Sequence, residues 1–96
     1  MPVDPEVRAR VKSSLARLQE AAPGRSVEVR VPPYAAVQAV AGSTHRRGTP
    51  SAVVETDGDT WLALADGSLT WAEALASGRL RASGERSDLS AWLPLA

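Results

Sequence analysis

His45 is the only histidine in the chain, and it stands in a polar run, Gly42-Ser43-Thr44-His45-Arg46-Arg47-Gly48-Thr49-Pro50-Ser51, with hydroxyls on both sides. Imidazole and hydroxyl are the raw material of a nucleophilic triad. A triad also needs an acid that orients the base and a hydroxyl held opposite it, and adjacency along the chain supplies neither. With no cysteine, a thiolate nucleophile is excluded, and a metal site built on His45 would have only carboxylates for partners. Arg46 and Arg47, between two glycines, offer guanidiniums and backbone amides to an anion. The Walker pattern fails, because no Gly-Lys-Ser/Thr follows. Asp57 and Asp59 suggest a calcium loop until Trp61 and Leu62 fall where further ligands belong. These carboxylates read as helix caps. An enzyme acting through His45, Arg47 and Glu55 is the weakest reading of the chain. The expectation is a protein without catalysis, cofactor or metal, in which His45, Arg46 and Arg47 form a polar, anion-capable loop.

The three tryptophans say more. Trp61 shares a helical face with Leu64 and Ala65, Trp71 another with Leu75, and Trp92 sits with Leu89 and Leu93. Each indole brings a large apolar area with one polar handle. Three of them on short helices either line an apolar pocket or fill a core that has no Phe or Ile.

The elements that position these residues follow from the hydrophobic pattern. Asp4 caps a helix with Pro5 at its first position and Glu6 near the positive end of its dipole. Val7, Val11, Leu15, Leu18 and Ala22 make its inward stripe, and Pro23-Gly24 end it. Arg8 and Lys12 flank one side of that stripe, Arg10 and Arg17 the other. Residues 26–31 alternate strictly, with Val27, Val29 and Val31 inward and Glu28 and Arg30 outward. Residues 35–41 predict a second strand, antiparallel to the first, and 52–56 a third. Two short helices follow, at Trp61–Ala65 closed by Gly67 and from Thr70 to about Ser77 closed by Gly78. Thr70 and Glu73 have capping-box spacing. Leu80–Ser83 predicts a strand, and Ser87 a cap for a last helix ending at Pro94. Strands first and helices later argue α+β, with a mostly antiparallel curved sheet of about four or five strands and helices on one face.

At 96 residues there is room for a single domain, 1–96, and one core. Apolar residues at 44% and charged residues at 23% exclude disorder over most of the chain. No apolar run is long enough to span a bilayer, so stable membrane insertion is not expected. The charged N-terminus lacks a signal-peptide core, and the expected location is cytoplasmic. Net charge is zero, but residues 1–47 hold eight Lys/Arg and four Asp/Glu, and residues 48–96 hold three and seven. The halves attract one another, or the first presents a basic face to an anionic partner. Nucleic acid is not the expected partner, because the three tryptophans that would stack on bases lie in the acidic half.

Residues 59–84, DTWLALADGSLTWAEALASGRLRASG, resemble the sterol carrier protein family, in which two short helices lead into a Gly-(Arg/Lys)-(Leu/Val) segment, a strand and a final helix. Arg47-Gly48-Thr49-Pro50 with Val53-Val54-Glu55-Thr56-Asp57 resembles an actinobacterial branch of it, and the likeness extends over about residues 10–96. The resemblance implies a curved sheet covered by helices with an apolar cavity between them. It also implies fatty acyl chains, acyl-CoA or sterols as ligands, held without a covalent step. The walls it implies here are Val37, Val40, Trp61, Leu64, Trp71, Leu75, Leu80 and Trp92. The alternative is a protein-interaction or dimerisation module, such as a homodimer, with a filled core and no ligand.

Overall fold

The computed structural model describes residues 3–42, 52–84 and 87–95. The chain runs α1 (Pro5–Ala21), β1 (Val27–Val31), β2 (Ala35–Ala39), β3 (Ala52–Thr56), α2 (Gly58–Asp66), α3 (Trp71–Ala76) and β4 (Leu80–Gly84), and ends in a single 3-10 turn, Ser90–Trp92. The Asp4 carboxylate accepts from the N–H groups of Glu6 and Val7, as its position before Pro5 requires. Val11, Leu15, Leu18 and Ala22 from the predicted stripe are buried and Val7 is half-buried against them. Thr70 and Glu73 form the reciprocal capping box that opens α3.

The four strands form one sheet in the order β2-β1-β3-β4. β1 pairs antiparallel with β2, with Val29 opposite Val37, and β3 pairs antiparallel with β4, with Val54 opposite Ala82. The central pair, β1 with β3, is parallel, with Val29 opposite Val54. The sheet is therefore mixed: its two outer pairings are antiparallel, in keeping with a mostly antiparallel sheet, and the central one is not. β2 ends beside the start of β1, and β3 starts at the same end on the other side of β1, where Ala52 N–H donates to Ser26 O at 3.1 Å. Side-chain alternation is the same in parallel and antiparallel pairs, so it carries no trace of strand direction.

One face of the sheet is dry. Val27, Val29, Val31, Val54 and Leu80 lie on it beneath α1, α2 and the C-terminal segment. The opposite face carries a row of Arg30, Glu55 and Arg81 side by side across β1, β3 and β4. Arg30 pairs with Glu28 and Arg81 with Glu55, the latter at 3.6 Å. The helices therefore cover one face, as the alternation in β1 requires.

Two corners fix how these layers meet. At the first, Gly24 (φ 150°) passes so close to β2 that a Cβ would lie 2.2 Å from the Val40 carbonyl oxygen. That oxygen accepts from Ser26 N–H and Ser26 Oγ at 3.0 and 2.7 Å, and Val40 N–H donates to Ala22 O at 2.6 Å. Val40 sits at φ 71°, a conformation that a β-branched residue adopts only under local constraint.

The second corner joins β3 to α2. Asp57 caps α2 by accepting from Thr60 N–H at 3.1 Å and from the Thr60 hydroxyl. Arg79 Nε donates to Thr60 Oγ1 at 3.1 Å, and Thr56 Oγ1 donates to Arg79 O at 2.8 Å, so the corner is tied to the start of β4. Burial pushes the Asp57 carboxyl upward, but the hydrogen bonds from Thr60 and the field of Arg79 outweigh it, and the group titrates below the usual aspartate range. A carboxyl depressed on folding contributes stability above its unfolded pKa of about 4 and loses that contribution as pH falls through the folded value. Asp57→Asn is thus expected to flatten the loss of stability on acidification below pH 4. Urea midpoints at pH 3 and pH 6 for both proteins check this, and an unchanged acid limb would disprove it.

Candidate functional site

Among the described residues, side chains pack the space between sheet and helices. Trp61, Leu15, Leu18, Leu64 and Leu89 occupy it with essentially no exposure, together with the valines of β1 and β3. Trp61 Nε1 donates to Ser14 Oγ at 2.8 Å, and Ser14 Oγ donates to Val11 O at 2.9 Å. The buried indole thus has its polar handle satisfied from α1.

Ser14 is also part of a groove on the outside of this core. Ala9, Arg10, Ser13, Ser14 and Arg17 of α1 face Leu62, Ala65 and Asp66 of α2 across a space of about 470 Å³. The α1 positions recur every three or four residues, so they form one strip beside the buried stripe. Buried Ser14 and Ala65 and half-buried Leu62 make the floor. The rim is charged. Asp66 is held below the usual aspartate range by the Ser68 hydroxyl and backbone N–H, with a further contribution from Arg10. A groove of this size falls in the range of about 300–1,000 Å³ that holds small organic ligands.

A second opening, of about 460 Å³, is nearly as large and lies by the β1–β2 turn among Arg30, Pro32, Pro33, Tyr34 and Glu55. A cleft of about 210 Å³ lies between the α2–α3 connection and the C-terminal segment, lined by Leu64, Leu69, Trp71, Leu93 and Pro94. Another, of about 380 Å³, lies at the Asp57 corner among Glu55, Arg79 and Arg81.

The residues expected to wall an apolar pocket are distributed as follows. Trp61, Leu64, Leu80, Val40 and Trp71 are buried, and Val37 and Trp92 are half-buried against the same core. Leu64 and Trp71 meet at the 210 Å³ cleft. Leu75 is 43% exposed, because α3 turns Trp71 and Ala74 inward. Those two residues are three apart, whereas Trp71 and Leu75 are four apart. His45, Arg46 and Arg47 lie outside the described residues, and Glu55 pairs with Arg81. Among the described residues no three His, Cys, Asp or Glu side chains gather to hold a metal ion. Sequence reasoning missed the α1–α2 groove. Its readable signal was Ser14, a polar residue three positions after Val11 and four before Leu18 in an otherwise apolar stripe.

A family model of bacterial SCP (sterol carrier protein) orthologs matches residues 4–95. Among solved structures, the chain is similar to the crystal structure of sterol carrier protein 2 like 2 from Aedes aegypti. The identity is 17% and the TM-score 0.52, covering 84% of this chain and 91% of that one. At that identity the likeness concerns the fold. No curated protein matches. An α+β chain with one covered sheet face and a family match over nearly its whole length belongs to the family of bacterial sterol carrier protein orthologs.

Proposed function

We propose that this chain is a cytoplasmic, non-enzymatic carrier that takes a fatty acyl chain or a sterol-like molecule into the α1–α2 groove. The observation that carries the reading is the groove itself, about 470 Å³ and floored by Ala65 and Leu62 beside Ser14, in a chain of this family. The filled interior argues for this groove over a tunnel beneath the sheet. No helix of the described residues is long and apolar enough to cross a membrane, so a bound lipid would be held by the folded domain's own surface.

Trp61 reports on the site. Its indole N–H is one hydrogen bond from the groove, through Ser14 Oγ. Titration with laurate below its micellar concentration is expected to move the Trp61 indole resonance in a saturable way, and more than those of Trp71 and Trp92. If no indole resonance saturates, the carrier reading fails.

The same filled core supports a second reading, a protein-interaction or dimerisation module without ligand. Exposed Leu75 on α3 is its most apolar surface feature among the described residues, with Val3 at the N-terminus. Its dimerisation form requires mass to grow with concentration in sedimentation equilibrium, and a monomer at all concentrations that also captures no partner in a pull-down counts against the whole reading.

A further inference from the structure

An open groove covers only part of a hydrocarbon chain, which limits what apolar contact can supply. Half-burying about ten methylenes yields roughly 4 kcal/mol before the cost of immobilising the chain. That corresponds to a dissociation constant of about 1 mM. Tighter binding needs a polar anchor, and the groove has one at its rim.

We infer that Arg17, with Arg10 beside it, holds the anionic head of a single-chain amphiphile, so that the groove selects acids over neutral lipids of equal chain length. This inference rests on the carrier reading. The Arg17 side chain makes no hydrogen bond or ion pair with the described residues. Arg10 lies near enough to Asp66 to lower its pKa but forms no ion pair with it within 4.0 Å. The two arginines are seven residues apart, which is two turns and about 10 Å along α1, and both line the groove. Each guanidinium offers five donors in a planar fork, matched to a carboxylate. A carboxylate set beside Ala9, Leu62 and Ala65 meets these donors next to apolar surface, where charge-assisted bonds are stronger than in bulk water. Asp66, on the other side, repels an anionic head, but the two arginines outnumber it.

The test compares laurate, dodecanol and acetate by competition against a fluorescent fatty acid, on the wild-type chain and on Arg17→Gln, Arg10→Gln and Ser13→Phe. All three substituted side chains are exposed, so the fold is not at stake. Wild type is expected to prefer laurate over dodecanol by about 5-fold or more, the scale of a well-placed, partly exposed ion pair. That preference should shrink in high salt. Arg17→Gln should remove most of it while dodecanol binding stays unchanged, and Ser13→Phe should weaken both lipids by closing the groove. Acetate should not compete at millimolar concentration. Equal binding of laurate and dodecanol by wild type overturns the head-group inference and leaves the carrier reading standing, whereas binding of neither lipid overturns both. A preference that survives Arg10→Gln and Arg17→Gln, lipid binding untouched by Ser13→Phe, or acetate competing as well as laurate each refutes the assignment of the anchor.

Discussion

Trp61→Ala is expected to cost about 3–5 kcal/mol of folding free energy, the usual scale for truncating a large buried aromatic. Small domains have only about 5–15 kcal/mol in total, so the variant should be marginally folded. The indole is fully buried at the meeting of α1, α2 and the sheet, and no neighbouring element can close over the space it would leave without moving a whole layer. Its removal also leaves the Ser14 hydroxyl without its donor, although that hydroxyl keeps its own bond to Val11 O. Trp61→Phe keeps most of the volume and should lose far less. Urea unfolding followed by far-ultraviolet circular dichroism measures both. A loss below about 1 kcal/mol for the alanine variant would mean that the indole does not hold the layers together.

Gly24→Ala should be comparably damaging for a different reason. The added methyl would meet backbone atoms at 2.2, 2.3 and 2.4 Å, and the nearest of them, the Val40 carbonyl oxygen, already accepts two bonds from Ser26. No side chain can swing away to make room, so β2 or the end of α1 must shift and the hydrogen bonds at that corner must lengthen. Lost bonds and the strained φ together come to about 3 kcal/mol or more. Gly78→Ala is the control. Its φ is also positive, at 77°, but nothing lies within 4 Å of the new methyl. That variant should lose only about 1 kcal/mol, the conformational cost alone. Equal losses in the two thermal melts would show that the close approach at Gly24 is unimportant.

Much of this architecture can be read from local chemistry. Asp4-Pro5 and Thr70…Glu73 announce helix starts because the orphan N–H groups there need those side chains. Gly67 and Gly78 announce stops because each must adopt positive φ. β1 announces itself because one face is dry and the other wet. The parallel pairing of β1 with β3 is not legible, since strand composition and alternation are the same for either direction. α2 begins at Gly58, three residues before the apolar run that suggests it, because Asp57 caps earlier than Trp61 implies. The final helix expected from Ser87 shrinks to one turn at Ser90–Trp92, with Leu89 buried ahead of it.

The candidate site was harder to foresee. Hydrophobicity identifies side chains that leave water, and Trp61, Leu64 and Leu80 do so completely. It does not distinguish a wall from a filling. The groove is made instead of alanine, serine and the flanks of two arginines, residues chosen for what they leave open. Arg10 and Arg17 stood out only as neighbours of the α1 stripe, and a floor of small residues has no pattern until α2 is laid against it.

Val40 has a consequence for how such a chain could drift. Its side chain earns a place in the interior while its main chain sits in a torsional basin suited to glycine. Substituting glycine there would relieve a local penalty of about 1 kcal/mol and forfeit a hydrophobic contribution of similar or somewhat greater size. The two solutions are nearly degenerate, so this corner can trade side-chain packing for backbone ease at little net cost, leaving its hydrogen-bond pattern undisturbed.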